Sequence, residues 1–377
     1  MKKIGIFYGS STGTTQGIAE TIASKLGVPA SDVIDVSKMN ADMVKEYEVL
    51  LLDRRDYEDE NNKVIKCCGG LLAHEAQAAL SGLGYSLSKD ILVSPQVFNV
   101  QVIDYDNNLK KKYYKNYLNF DREKFDNYLL SQKASHVELI KGALFIDYSE
   151  DENGIYTVIY RIGMDIKKVK TKMIVSAEGA NSLIRKNLDN KSKNDYIAIQ
   201  RVYKMKKDFS YHMAIFDKNI NNYYSWLVPK GNELILGTIL KKGKGSWDKF
   251  HQLEERVKSE GIDINDIIRD EGTFIRVPKW NEYFMAKDRI ALIGEAAGLI
   301  SASSSEGISY ALISGYYLAD SINKKGIKSG IIEYCKRTES IRMKLNLKIL
   351  KGKLMYNSFI RKFIIMSGVF SNKDYIK

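Results

Sequence analysis

Residues 289–320, RIALIGEAAGLISASSSEGISYALISGYYLAD, constrain this chain more than any other stretch. Residues 290–293 are wholly apolar and read as a buried strand that ends at Gly294 and Glu295. Three small residues follow, Ala296, Ala297 and Gly298. A serine-rich loop then reaches Glu306 and Gly307, where a helix over 306–323 is predicted. Such a handover suits ligand binding. Small residues let backbone approach a ligand, the first helical N–H groups lack intrahelical acceptors, and a carboxylate at the strand end can accept bonds from ligand hydroxyls. The bland alternative is a tight turn with no ligand. The coincidence of glycines and a carboxylate argues against it.

The rest of the chain shows where that handover belongs. Residues 3–8 read as a strand, followed by the loop GSSTGTT and a helix over 15–26. In that helix Ile18, Ala19, Ile22, Ala23 and Leu26 keep a 3.6-residue spacing. A short strand at 32–36, a short helix at 41–46 and a buried strand at 48–52 ending on Asp53 open a doubly wound α/β sheet. Residues 95–120 alternate in polarity as antiparallel strands do. Helices are expected at 122–130 and 247–260, a β-meander at 137–175, further strands at 195–240, and helices at the end of the chain. With 377 residues, two intimately packed subdomains are expected. The α/β unit comprises 1–95, 121–190 and 281–325, a β-rich unit 96–120 and 191–280, and the terminal helices 326–377.

Composition narrows the function classes. Hydrophobic residues at 44% and only four prolines exclude a disordered chain. No apolar run reaches the length of a membrane span, and the short apolar start reads as a strand, not a secretion signal. Cys67, Cys68 and Cys335 make an odd count with one adjacent pair, which fits a reducing cytoplasm better than a disulfide framework. Four scattered histidines and no paired Cys-x-x-Cys units argue against a metal site. The net charge of +12 admits nucleic acid, an anionic membrane surface, or a generally lysine-rich surface. The lysines are dispersed, so the surface reading is preferred and no nucleic-acid partner is expected. Residues 336–362 are denser in Lys and Arg, interleaved with apolar residues. That pattern allows peripheral membrane contact, or a helix covering the protein's own core.

The segment GEAAGLISASSSEGISYALISG resembles the second flavin-binding motif of the p-hydroxybenzoate hydroxylase-type flavoproteins. From about residue 49 onward the chain resembles the geranylgeranyl reductase family. The resemblance is carried by LLDRRDYEDE, KCCGGLLAHEAQ, DREKFDNYL, VSAEGANSLIRK and YYSWLVPK. It implies an α/β fold with a Rossmann-like FAD-binding domain of that type, a β-rich substrate domain and a helical C-terminus. It also implies that Glu295, Gly294, Gly298, Gly307 and Ile308 hold the ribityl and ring end of FAD. Asp53, with Arg54 nearby, would bind the adenosine ribose, and Arg122 would lie near the diphosphate. Gly69 and Gly70 would let backbone approach the ring beside Cys68, which is either a proton relay or a small polarizable wall. Tyr224, Trp226 and Pro229 would line an apolar trough for an isoprenoid-like tail. The implied activity is reduction of C=C bonds by flavin hydride transfer, with NAD(P)H or a small redox protein as electron donor. Monooxygenation on the same scaffold, an FMN-phosphate-binding or electron-transfer module built on residues 1–52, and a flavin-impaired binding protein remain as alternatives.

The N-terminus departs from that family. Its Gly-x-Gly-x-x-Gly element is absent: Gly9 can be the first glycine, but Ser11 and Thr14 occupy the other positions. Residues 1–52 resemble instead the start of a flavodoxin. There Ser10, Ser11, Thr12, Gly13, Thr14 and Thr15 would form a phosphate loop for FMN. In the dinucleotide arrangement the strand ending at Asp53 pairs on one side of the first strand; in flavodoxin it pairs on the other. The downstream sequence favours the dinucleotide arrangement, with weakened diphosphate binding because Ser11 carries a Cβ.

Overall fold

A computed structural model describes residues 6–8, 33–35, 49–56, 66–134, 136–189 and 195–368. Four short strands belong to parallel pairs. β1 (Ile6–Tyr8) pairs with β2 (Val33–Asp35), and β3 (Val49–Asp53) pairs with β7 (Val137–Lys141). The register of the second pair aligns Asp53 with Lys141. Among the described residues nothing joins β1 to β3, so the choice between the two N-terminal arrangements lies outside them. The loop of Ser10, Ser11, Thr12, Gly13, Thr14 and Thr15 and the expected helices at 15–26 and 41–46 also lie outside the described residues.

The large sheet carries the β-rich unit. It comprises β4 (Leu71–Leu72), β5 (Val97–Asp104), β6 (Leu109–Asn119), β12 (Tyr196–Lys204), β13 (His212–Phe216), β14 (Ser225–Lys230), β15 (Glu233–Lys241) and β16 (Ile267–Ile275). The order across it is β16-β12-β15-β14-β13-β5-β6-β4. The interior of β15, LILGTIL, is buried on both faces. One face packs on a helix at Ser246–Ser259, whose Phe250, Leu253 and Val257 fall on one stripe and are fully buried. The opposite face presents Ala198, Trp226 and Ile239 to Cys67, and thus to the Cys-Cys-Gly-Gly segment.

The expected meander over 137–175 divides differently. Only β8 (Ala143–Glu150), β9 (Tyr156–Ile162) and β10 (Asp165–Thr171) form an antiparallel sheet. β7 belongs with β3, and β11 (Ile174–Ser176) runs parallel to β18 (Ile290–Leu292), which also pairs with β17 (Ala286–Lys287). Alternation alone cannot show that chain-adjacent strands join different sheets.

The helices, in chain order, are α1 (His74–Gly82), α2 (Arg122–Ser131), α3 (Leu183–Leu188), α4 (Ser246–Ser259), α5 (Ile308–Arg337), α6 (Glu339–Tyr356) and α7 (Ser358–Ser367). α2 starts where Asp121 accepts the N–H groups of Glu123 and Lys124 at 2.9 and 3.0 Å. α5 runs on past 323 and kinks at Gly326, which takes φ 73°. A second core forms where α5 and α6 close over β18: Ala296, Ala297, Leu299, Tyr334 and Leu345 have no exposed surface. Among the described residues no helix is long and apolar enough to cross a membrane.

Candidate functional site

The turn after Cys67 is built on Gly70. Its φ is +61°, and a Cβ there would lie 2.2 Å from Lys230 Nζ and 2.6 Å from the Phe120 carbonyl oxygen. Gly70 N–H donates to Cys68 Sγ at 3.4 Å, and its carbonyl accepts Phe120 N–H at 3.0 Å. Lys230 Nζ donates to Gly70 O at 2.5 Å, Phe120 O at 2.7 Å and Asn119 Oδ1 at 2.5 Å. Burial pushes the Lys230 ammonium down to about 7; its three oxygen acceptors favour the charged form and oppose that push. Gly69 faces the indole: a Cβ there would meet Trp226 Nε1 at 3.8 Å, an ordinary contact. Trp226 in turn lies flat on Gly237, where a Cβ would come within 2.4 Å of the ring.

From Cys68 a chain of charged groups runs to the end of β3. Arg122 Nη1 donates to Cys68 Sγ at 3.7 Å and its Nε to Asp126 Oδ1 at 2.8 Å. Arg55 Nη1 donates to Asp126 Oδ2 at 2.7 Å, and its Nη2 to Asp53 Oδ2 at 3.2 Å. Asp53 therefore meets Arg55, whereas Arg54 is exposed. A cavity of about 420 Å³ opens beside this chain, lined by Arg55, Cys68, Arg122 and Asp126 on one side and by Lys230 and Glu271 on another. Lys66 also lines it and feels the charges of Arg122, Glu295, Cys68 and Arg55.

Glu295 stands in the turn after β18 and does not line that cavity. Its Oε1 accepts the Arg276 N–H at 2.7 Å, and its Oε2 is 3.9 Å from where a Cβ on Gly179 would stand. Burial raises the Glu295 carboxyl, against the Arg276 amide and the charges of Lys66 and Arg276. Gly294 has φ +54°, and its N–H donates to Ser314 Oγ at 2.9 Å, so β18 lies directly on α5. Gly298 has φ +87°, and a Cβ there would strike the Glu282 carbonyl at 2.7 Å. Gly307 caps α5 and Ile308 begins it. Glu306 Oε1 accepts the Ser309 N–H at 3.0 Å and leaves Oε2 buried without a bond. The SAEGANSLIR turn abuts the Glu295 turn. Glu178 accepts Ser182 Oγ at 2.6 Å and Ile184 N–H at 3.2 Å at the start of α3.

Aromatic residues continue along the same face of the sheet. Tyr224 and Trp226 rings are 6.0 Å apart, and Tyr224 donates to Ser304 O at 3.0 Å. Pro229 is buried at the end of β14, and its carbonyl accepts from Asn119 Nδ2 at 2.8 Å. Tyr356 of α6 joins from outside the sheet, 5.1 Å from Tyr223. His212 is buried edge-on to Tyr117, with both ring nitrogens unpaired.

Burial lowers His212 to about 4, so it is neutral in the fold. Below about 6.5 the unfolded chain gains a proton that the fold refuses until about 4, so stability falls as pH drops through that window. The full effect is about 3 kcal/mol. Urea unfolding at pH 5 and 7.5 should show His212→Phe losing less on acidification than the parent. An equal loss would contradict the assignment.

Sequence reasoning missed Arg55, Lys66, Asp126 and Lys230. Asp126 was accessible as the i+4 partner of Arg122 on a helix. Lys230 offered no signal, because its role depends on three oxygens from distant segments.

No protein-family model matches the chain. Among solved structures it is similar to a geranylgeranyl bacteriochlorophyll reductase-like protein from Thermoplasma acidophilum, with TM-score 0.71 and 18% identity over 84% of each chain. It is also similar to PqsL, a probable FAD-dependent monooxygenase from Pseudomonas aeruginosa, with TM-score 0.60 and 14% identity over 86% of this chain and 93% of that one. The flavin-dependent halogenase CmlS gives TM-score 0.60 and 15% identity over 81% of this chain and 59% of that one. These likenesses establish the fold, a mixed α/β scaffold shared by FAD-dependent oxidoreductases. In sequence the chain is 33% identical over 326 residues to Protein CbrA of Escherichia coli strain K12, covering 85% of this chain and 90% of that protein. Protein CbrA of Shigella sonnei strain Ss046 gives 32% over the same length and shares. With that identity over most of both lengths, the chain belongs to the CbrA family.

Proposed function

We propose that the chain is an FAD-dependent oxidoreductase on a scaffold of the p-hydroxybenzoate hydroxylase type, reducing C=C bonds of an isoprenoid-like lipid. The observation that carries this reading is the cavity of about 420 Å³ lined by Arg55, Lys66, Cys68 and Arg122 beside the glycine backbone at 69–70. Glu295 with the start of α5 suits a ribityl chain and flavin ring, and Asp53 with Arg55 suits an adenosine ribose. The charged chain from Asp53 to Cys68 gives polar partners along an extended ligand, which favours FAD over FMN. Reduced flavin, when bound, supplies hydride; NAD(P)H or a small redox protein would replenish it.

The protein's own part is positional. Gly69 and Gly70 leave room at the ring, while Arg122 holds Cys68 Sγ. The aromatic face of Tyr224 and Trp226 takes an apolar tail and excludes water. Hydride addition to one alkene carbon needs a proton at the other, and the Cys68 thiol is the candidate donor.

Denaturing the purified protein and identifying the released flavin by mass tests the cofactor. FAD is expected; colourless protein that cannot be reconstituted would overturn the reading. With reduced protein and a polyprenyl lipid, the expected product gains two hydrogens, whereas a gain of oxygen would show monooxygenation. Cys68→Ser should lower turnover about a hundredfold with flavin retained. Unchanged turnover would make Cys68 a wall of the pocket.

A further inference from the structure

The last two described helices carry apolar side chains on two faces. α6 buries Ile341, Leu345, Ile349 and Gly352 against the fold. Met343, Leu347, Leu350 and Leu354 recur at spacings of four, three and four on the opposite face, where they are 43–67% exposed. α7 repeats the pattern: Arg361 and Ile365 are buried, while Phe359, Phe363 and Met366 are 56–69% exposed. A stripe of this kind on a folded protein marks a surface that meets something apolar.

Its polar neighbours are predominantly basic, with Glu75 of α1 the acid paired to Lys348. Lys344, Lys351, Lys353 and Lys362 are exposed, and Glu339 is the sole acid in residues 339–368. β6 adds Lys111, whose Nζ donates to Ile365 O at 3.1 Å, and Lys115, which repels Lys351. A second copy docked on this face would bring lysine against lysine. Nucleic acid would satisfy the lysines and leave the leucines and phenylalanines in water. An anionic lipid surface satisfies both: apolar side chains enter the acyl boundary while lysine stems extend to the headgroups.

We propose that the α6–α7 face docks on the surface of an anionic phospholipid bilayer, lying along the interface without crossing it. The same helix reaches the aromatic pocket, because Tyr356 donates to Ser303 O at 3.0 Å and packs on Tyr223. The docking stands on the exposed stripe and its charge and does not rest on the reductase reading. Under that reading it presents the pocket to lipid.

The test is sedimentation of the full chain with phosphatidylcholine vesicles, with and without about 30% phosphatidylglycerol. Binding about tenfold stronger to the anionic vesicles, and weakened by salt, is expected. Leu347→Ser with Phe363→Ser should reduce it about tenfold at an unchanged melting temperature. Lys344→Glu with Lys353→Glu should also reduce it. No binding to anionic vesicles, or equal binding to neutral ones, would overturn the proposal. So would a dimer in sedimentation velocity that the serine variant converts to monomer. Released flavin and lipid reduction are measured without vesicles, so the docking and the reductase reading can fail separately.

Discussion

Gly70→Ala should cost about 3–5 kcal/mol of unfolding free energy, while Gly69→Ala should change it by less than about 1 kcal/mol. The contrast is geometric. At φ +61° an alanine carries a left-handed penalty before any contact is considered. The new Cβ then meets two obstacles of different kinds. Lys230 Nζ, at 2.2 Å, ends a flexible side chain and can swing away, but it would leave three oxygen acceptors inside the protein. The Phe120 carbonyl, at 2.6 Å, is backbone one residue before the Asp121 cap of α2, so moving it shifts the start of that helix and Arg122 with it. A Cβ on Gly69 would meet the Trp226 indole and the Val228 side chain at normal distances. Chemical denaturation of both variants, with Gly70→Ala/Lys230→Met as a third, checks this. The double variant should be no more stable than Gly70→Ala, because methionine removes Nζ but leaves the same three oxygens unbonded and the Phe120 carbonyl in place. Equal stability for Gly69→Ala and Gly70→Ala would show that the turn does not need its glycine.

The same turn shows what the sequence revealed and what it hid. Two adjacent glycines after a cysteine announce close backbone approach, but the pattern cannot say that only the second is in the left-handed region. The carboxylate at 295 and the helix start at 307 were legible, because strand, small residues and helix follow one another directly in the chain. Asp53 was legible as a strand end. Its partner was not: Arg54 and Arg55 are adjacent, and only the folded chain brings Asp126, 71 residues on, to Arg55. The strands of 137–175 were visible as strands, yet their division among three sheets depends on partners far along the chain, as in Val137 with Val49 and Ile174 with Ile290. The aromatic face was legible from Tyr224 and Trp226. Tyr356 was not, because it arrives from the far end of α6.

Arg361→Met should destabilise the chain by about 3–5 kcal/mol, although it replaces one long side chain by another of fair size. Arg361 is 2% exposed in α7 and faces Asp104 and Asp106, at 0% and 5%. Its Nε donates to Asp104 Oδ2 at 2.8 Å, and its Nη2 to Asp104 Oδ1 at 3.0 Å and Asp106 Oδ2 at 2.5 Å. The guanidinium also stacks 4.6 Å from the Phe216 ring centroid. Burial alone would make the cation costly; the two carboxylates outweigh that and hold it charged. Methionine recovers the packing but strands two buried carboxylates, which is the expensive half of breaking such a group. Arg361→Met/Asp104→Asn/Asp106→Asn, with no charge left to strand, should therefore be more stable than Arg361→Met alone. If the triple variant is no better, the loss is one of packing and the ionic account fails. Lysine at 361 should fall between, since it restores charge without the planar fork. Because Arg361 ties α7 to the β5–β6 turn, its loss should also free the helix carrying Phe359 and Phe363. Protease cleavage should then appear near 357 in Arg361→Met and be absent from the parent. A variant that loses stability without opening there would place the weakness elsewhere in the β-rich unit.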